Sequence, residues 1–185
     1  MGVMRIGLLA DTHIIEAEKD IPPQVMEAFK GVDLILHAGD VTNCSVLDHL
    51  ERIAPVLAAV GDHDYSQSDS RWQEKHVLKL EGHVLWLFHV RPYSTPRSWL
   101  KGTPSGNEAE AHPDIIVFGH EHHTVVESSD GILYICPGSP NLLNRQPGLG
   151  TVGILELNSR KADVRIVQLK KSDQNTSQDC FTFYT

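Results

Sequence analysis

The chain has 185 residues, 24 acidic and 16 basic, giving a formal charge of −8 with eleven histidines outside that count. A chain of this length buries roughly 70% of its unfolded surface, so it needs neither disulfide nor metal to stay folded, and any metal would serve function. The acidic balance disfavours duplex nucleic acid and anionic lipid as partners, because both affinities rest on Lys and Arg meeting phosphate.

Six short apolar runs of strand length follow one another: VMRIGLLA, VDLILHAG, PVLAAVG, HVLWLFH, DIIVFGH and ILYICPG. Most are near-continuous rather than alternating, as expected of strands covered on both faces. After the first, Pro22 and Pro23 open a helix whose Val25, Met26 and Phe29 share a face and which stops at Gly31. After the second, Asn43 or Ser45 caps a helix with Val46, Leu47 and Leu50 on one side. The N-terminal third therefore reads β-α-β-α-β with parallel strands.

Beyond it, hairpins turn at Glu81-Gly82 and Asp130-Gly131, and TVGILELNSRKADVRIVQL forms another; together they call for a second, largely antiparallel sheet. The proline-rich stretch from Arg91 to Asp114 is expected to be a surface excursion with a short helix. No linker splits the chain, which reads as one domain over residues 1–170 with a polar, disordered tail at 171–185. Cys44, Cys136 and Cys180 are odd in number and widely spaced, which suggests a reducing, cytoplasmic setting. The apolar start breaks at Asp11, too early for a signal peptide, and no later run is long enough for a membrane span.

The polar residues carry the chemistry. The first apolar run ends in Asp11-Thr12-His13, the second in Gly39-Asp40 and the third in Gly61-Asp62-His63-Asp64. The fourth ends in Phe88-His89 and the fifth in Gly119-His120-Glu121-His122. In open α/β sheets the carboxyl ends of the strands face the ligand crevice, so these side chains converge. Asp and His without Cys suit manganese, iron, nickel or zinc, and seven such groups approach what two ions need with one carboxylate shared. The glycines before Asp40, Asp62 and His120 fit strands that turn sharply in a crowded place.

In that order the residues resemble the calcineurin-like metallophosphoesterases, most closely their small single-domain bacterial and archaeal phosphodiesterases, whose motifs run D-x-H, G-D, G-N-H-D, H-G, G-H-x-H and N-P-G-S. The resemblance covers Met4 to Leu169, ending in Cys136-Pro137-Gly138-Ser139. It implies an α/β four-layer fold, two central mixed sheets flanked by helices. It implies that Asp11, His13 and His122 hold one metal, that Asp62, His89 and His120 hold the other, and that Asp40 bridges them. His63 would protonate the leaving oxygen or stabilise the transferring group, while a bridging hydroxide attacks phosphorus. The implied cofactors are two divalent ions, manganese first, with nickel, zinc or iron as substitutes. The implied partner is a small-molecule phosphodiester, cyclic or linear nucleotides foremost; the oligomeric state, a homo-oligomer included, stays open.

Three positions depart from the motifs. Asp62 stands where the family has Asn, so a third carboxylate would neutralise the remaining positive charge of the two ions, tightening metal binding and making the bridging water less acidic. Val90 replaces Gly after His89, and Cys136, replacing Asn, is expected to pack. Asn43 stands where larger phosphatases of the family have an Asp that supports the catalytic histidine. His37 is expected beside the site as a hydrogen-bonded neighbour, His123 in solvent, and His49, His76, His83 and His112 in surface or packing roles. Arg91 and Arg97 could reach phosphate, and Tyr93 and Trp99 could stack a base, although a solvated or self-packed loop competes with both. The family also includes a retromer subunit with a degraded site, so a protein-interaction scaffold and a phosphomonoesterase are the alternatives. Retention of His13, His89, His120 and His122 and the absence of Gly-Asp-x-x-Asp-Arg-Gly weigh against them.

Overall fold

The computed structural model describes residues 2–15, 20–65, 69–92, 112–171 and 176–184. The short helix expected after Arg91, with Tyr93, Arg97 and Trp99, lies outside them. Strands β1 (Met4–Leu9), β2 (Leu34–His37), β3 (Val56–Ala59) and β4 (Trp72–Gln73) run parallel and in that order. Helices α1 (Pro23–Ala28) and α2 (Cys44–Glu51) make the first two crossovers. Asn43 is the cap of α2, its side chain accepting from Ser45 N at 3.0 Å.

The second sheet has the order β5 (His76–Leu80), β6 (His83–Leu87), β7 (Ile115–Val117), β9 (Ile132–Pro137), β8 (Thr124–Ser129). Its inner three strands are parallel, and the hairpins at Glu81-Gly82 and Asp130-Gly131 supply antiparallel edges. The last expected hairpin, β10 (Thr151–Asn158) and β11 (Lys161–Gln168), does not join this sheet. It adds to the first, where β10 pairs antiparallel with β1 in the register Ile6 to Leu155. Both sheets are therefore mixed, and the parallel interior of the second replaces the largely antiparallel sheet expected from its hairpins.

The tail also differs from expectation: residues 176–184 form strand β12 (Thr176–Tyr184), paired antiparallel with β11. The strand-favouring residues Phe181, Thr182, Phe183 and Tyr184 follow a polar stretch that hides them from a composition average. Phe183 packs against the core between the sheets.

Period-two alternation explains the near-continuous apolar runs. On β1 and β2, Ile6, Leu8, Leu34 and Leu36 face the second sheet, whereas Leu9 and Ile35 face Val25, Phe29, Val46, Leu47 and Leu50 of the helical side. On β6, β7 and β9, Leu85, Leu87, Ile115, Val117, Leu133 and Ile135 close the inter-sheet core, and Trp86, Ile116 and Tyr134 form a third cluster on the outer face. Every sheet face is thus covered, the two facing ones by one shared core, which leaves the carboxyl ends of the strands free to carry polar loops. All three cysteines are free thiols. Among the described residues no helix is long and apolar enough to cross a membrane.

Candidate metal centre

The ends of β1, β2, β3, β6 and β7 deliver two groups of metal-ligating side chains. In one, ligand atoms of Asp11, His13, Asp40 and His122 all lie within 4.8 Å of one another; in the other, those of Asp62, His89 and His120 do. Asp40 Oδ2 stands 3.3 Å from His13 Nε2 and 3.5 Å from His89 Nε2, so one carboxylate oxygen faces both groups. His13 and His122 point their Nε2 atoms at each other across 3.2 Å, and Asp62 Oδ2 is 3.1 Å from His120 Nδ1 and 3.8 Å from His89 Nε2. Every expected ligand is part of this assembly.

The backbone is bent hard to make it. Asp11, His13, Asp40, His120 and His122 all have left-handed φ, between 46° and 67°. Gly39 and Gly61 leave room: a Cβ on the first would lie 2.5 Å from His89 Nδ1, and on the second 2.1 Å from Asp40 N. Main-chain bonds then stitch neighbouring turns together, Asp11 N donating to Gly39 O at 2.9 Å and His13 N to Asp40 O at 3.0 Å.

Several side chains that sequence reasoning left without a role hold this frame. Ser139 Oγ donates to Asp11 O at 2.8 Å, and Asn141 Nδ2 to Thr12 O at 2.6 Å. Asp64 accepts from Thr42 N at 2.7 Å and from Gly61 N at 2.8 Å, locking the β2 turn to the β3 turn. The signal for the first two was the run Pro137-Gly138-Ser139-Pro140-Asn141 after an apolar strand; for Asp64 it was the second acid of Gly-Asp-His-Asp. His37 is buried beneath the site, 3.1 Å from Thr12 Oγ1, and burial drives its pKa down to about 3, so it stays neutral.

Electrostatics follow from burial and crowding. Asp11 is buried and, opposed only in part by His89 and by the His120 N–H on its Oδ1, has its pKa pushed up to about 7. Burial also disfavours a charged Asp40, but contacts from His89 and His63 outweigh it and hold the carboxyl well below the usual range. His89 loses stability as a cation through burial yet gains more from Asp40 and from donating Nδ1–H to Ala38 O at 2.8 Å, so its pKa rises to about 9. Burial lowers the pKa of His13 and of His122, which favours their neutral forms. His63, at the rim with its side chain 67% exposed, sits with Nδ1 3.0 Å from Asp40 Oδ2 and donates its backbone N–H to Asp40 Oδ1 at 2.9 Å. The bond to Asp40 raises its pKa.

The remaining candidates lie elsewhere. Arg91 ion-pairs with Glu127 and lies over Phe118 and Tyr134, on the outer face of the second sheet, rather than reaching toward the site. His49 pairs with Asp20, His76 and His83 are buried with ring bonds to Ala58 O and Asn158 O, and His123 is exposed. Cys136 is packed in the outer cluster, and Asn43 is spent on its helix cap.

Residues 4–160 match the calcineurin-like phosphoesterase superfamily domain, and the chain belongs to that family. A probable metallophosphoesterase of Methanocaldococcus jannaschii is 32% identical over 141 residues, 76% of this chain and 70% of the relative. One of Methanothermobacter thermautotrophicus is 31% identical over 89% of this chain and 92% of its own length, and a phosphodiesterase of M. jannaschii is 24% identical over 85% and 96%. In fold, the chain is similar to Vacuolar Protein Sorting 29 from Cryptosporidium parvum, with a TM-score of 0.74 and 19% identity over 99% of both chains.

Proposed function

We propose that the chain is a metal-dependent phosphodiesterase acting on small phosphodiesters such as cyclic or linear nucleotides. The observation that carries this reading is the single oxygen of Asp40 facing both groups of ligands, 3.3 Å from His13 and 3.5 Å from His89. Residues present fit two divalent cations: Asp11 Oδ2 and His89 Nε2 are buried with no hydrogen-bond partner among the described residues, and a sulfur-free set of imidazoles and carboxylates suits manganese, nickel, zinc or iron. Asp11, His13 and His122 would hold one ion, Asp62, His89 and His120 the other, with Asp40 between them. Bound ions would supply Lewis-acid charge at the phosphoryl oxygens and an activated water.

The chain's own groups do the rest. Asp40 orients His63 through the His63 backbone N–H and ring, and His63 would give its proton to the leaving oxygen from the rim of the site. The relative named as a phosphodiesterase supports the choice of diester over monoester. A second reading, a protein-interaction scaffold, is compatible with the likeness in fold to Vacuolar Protein Sorting 29.

A metal-free preparation given manganese, nickel, zinc or magnesium, and assayed with a chromogenic phosphodiester and the matching monoester, separates the readings. Diester turnover restored by manganese is expected. Metal binding without turnover would favour the scaffold, and preferential monoester turnover would sink the diesterase.

A further inference from the structure

Beside the metal centre opens a cleft of about 490 Å³ lined by His13, Ile14, Ile15, Asp20, Pro22, Asn141, Leu142 and Pro147. Its size lies within the range that encloses small organic molecules. We propose that this cleft receives the ester group that stays on phosphorus, and that the group is an uncharged, nucleoside-sized ring system. The proposal rests on the diesterase reading and adds to it the class of substituent.

Three observations converge on it. First, the cleft is continuous with the metal centre, because the His13 ring that meets Asp40 and His122 is also its wall. A phosphodiester centred on the metal site can therefore send one of its two organic groups this way. Second, the polar groups of the lining are already engaged. Asn141 donates its side-chain amide to Thr12 O and its backbone N–H to Ser139 Oγ, and Asp20 pairs with His49 and accepts from Ile21 N. What remains is the apolar surface of Ile14, Ile15, Pro22, Leu142 and Pro147, with no Lys or Arg among the described lining residues. Among the described lining residues a second phosphate would meet the Asp20 carboxylate and no cation, whereas a neutral ring covers apolar surface.

Third, position assigns the cleft to the retained group rather than the leaving group. Leu142 belongs to the His122 side of the centre, where its carbonyl accepts from His122 Nδ1 at 3.3 Å. His63, the proposed proton donor to the leaving oxygen, packs edge-on against His13 with ring centroids 5.1 Å apart and is not part of the cleft lining.

The test compares, on the manganese-loaded protein, two substrates with one leaving group, thymidine 5′-(p-nitrophenyl) phosphate and methyl p-nitrophenyl phosphate. The variants are Pro147→Ala and Ile15→Glu, both at exposed positions of the cleft wall. For both, kcat/KM on the thymidine diester is expected to fall about three- to tenfold, from lost apolar contact or added negative charge, while kcat/KM on the methyl diester stays within twofold. Equal losses on both substrates, or no loss on either, would overturn the cleft assignment and leave the diesterase reading standing. Absence of turnover on both substrates by the unaltered protein would overturn both.

Discussion

The two halves of the candidate metal centre are built to different standards. Around Asp11 the frame is closed: the carboxylate is buried, one oxygen accepts from His120 N, its main chain is tied by Ser139, Thr12 is tied by Asn141, and His122 is held by Leu142. Around Asp62 the frame is open, with that side chain 55% and His120 42% exposed and only His89 firmly anchored. A rigid ligand set loses little freedom on taking up a cation and a loose one must be ordered by it. Titration of the metal-free protein with manganese is therefore expected to show two steps, the tighter on the Asp11 side.

The comparison breaks most completely at the group both halves share. Asp40→Asn removes the charge between them, and diester turnover is expected to fall about 10³-fold, with both steps of a calorimetric titration weakened; loss of one step alone would mean that Asp40 serves a single ion. Ser139→Ala attacks the closed half through its frame, lowering the affinity of the tight step by about 10- to 100-fold while the weak step stays put.

The pH dependence should separate the halves as well. A carboxylic acid raised to about 7 must lose its proton before it can ligate, so below pH 7 the tight step weakens by up to about tenfold per unit as Asp11 protonates. His89, raised to about 9, must also be neutral to bind, so the weak step should go on strengthening between pH 7 and 9 after the tight step has levelled off. Calorimetry in buffers of different ionisation heat would count the protons released; parallel profiles for the two steps would contradict the assignment. The smallest effect is expected at the exposed ligand. Asp62→Asn should weaken the second step while raising turnover at saturating metal by roughly two- to fivefold, because a neutral ligand leaves the centre more positive; an unchanged or lower rate would count against the charge argument.

Much of this was legible in the sequence because strand ends are local events. Apolar runs stop abruptly at Asp11, Asp40, Asp62, His89 and His120, and a parallel arrangement brings such ends together whatever the rest of the chain does. Partnership between distant strands was not legible. The β10–β11 hairpin announces its own turn, but nothing within it says that Leu155 will lie beside Ile6 rather than on the second sheet. The tail was misjudged for a related reason: its polar beginning dilutes four strand-favouring residues, and Phe183 finds cover only once both sheets exist. Ser139, Asn141 and Asp64 act on main-chain atoms of remote turns, a role that leaves no periodic trace. Arg91 looked available for phosphate because its aromatic bed and Glu127 come from β8, β9 and the end of β7.

The left-handed backbone at Asp11, His13, Asp40, His120 and His122 also limits which residues can stand at those positions. Asp, Asn, His and Gly adopt that conformation readily, other L-residues at a cost of roughly 1–2 kcal/mol each, and β-branched ones poorly. Two of these five sites can thus exchange carboxylate for amide with the chain path intact, whereas alanine or valine would deform the turn as well as delete the ligand. Geometry favours a short alphabet at these five positions before metal chemistry has any say, and the fold bears the cost of departing from it nearby at Thr42, with φ 65°. A loss of activity on alanine replacement there reports on the turn and the ligand together, and only the asparagine and glycine series can tell them apart.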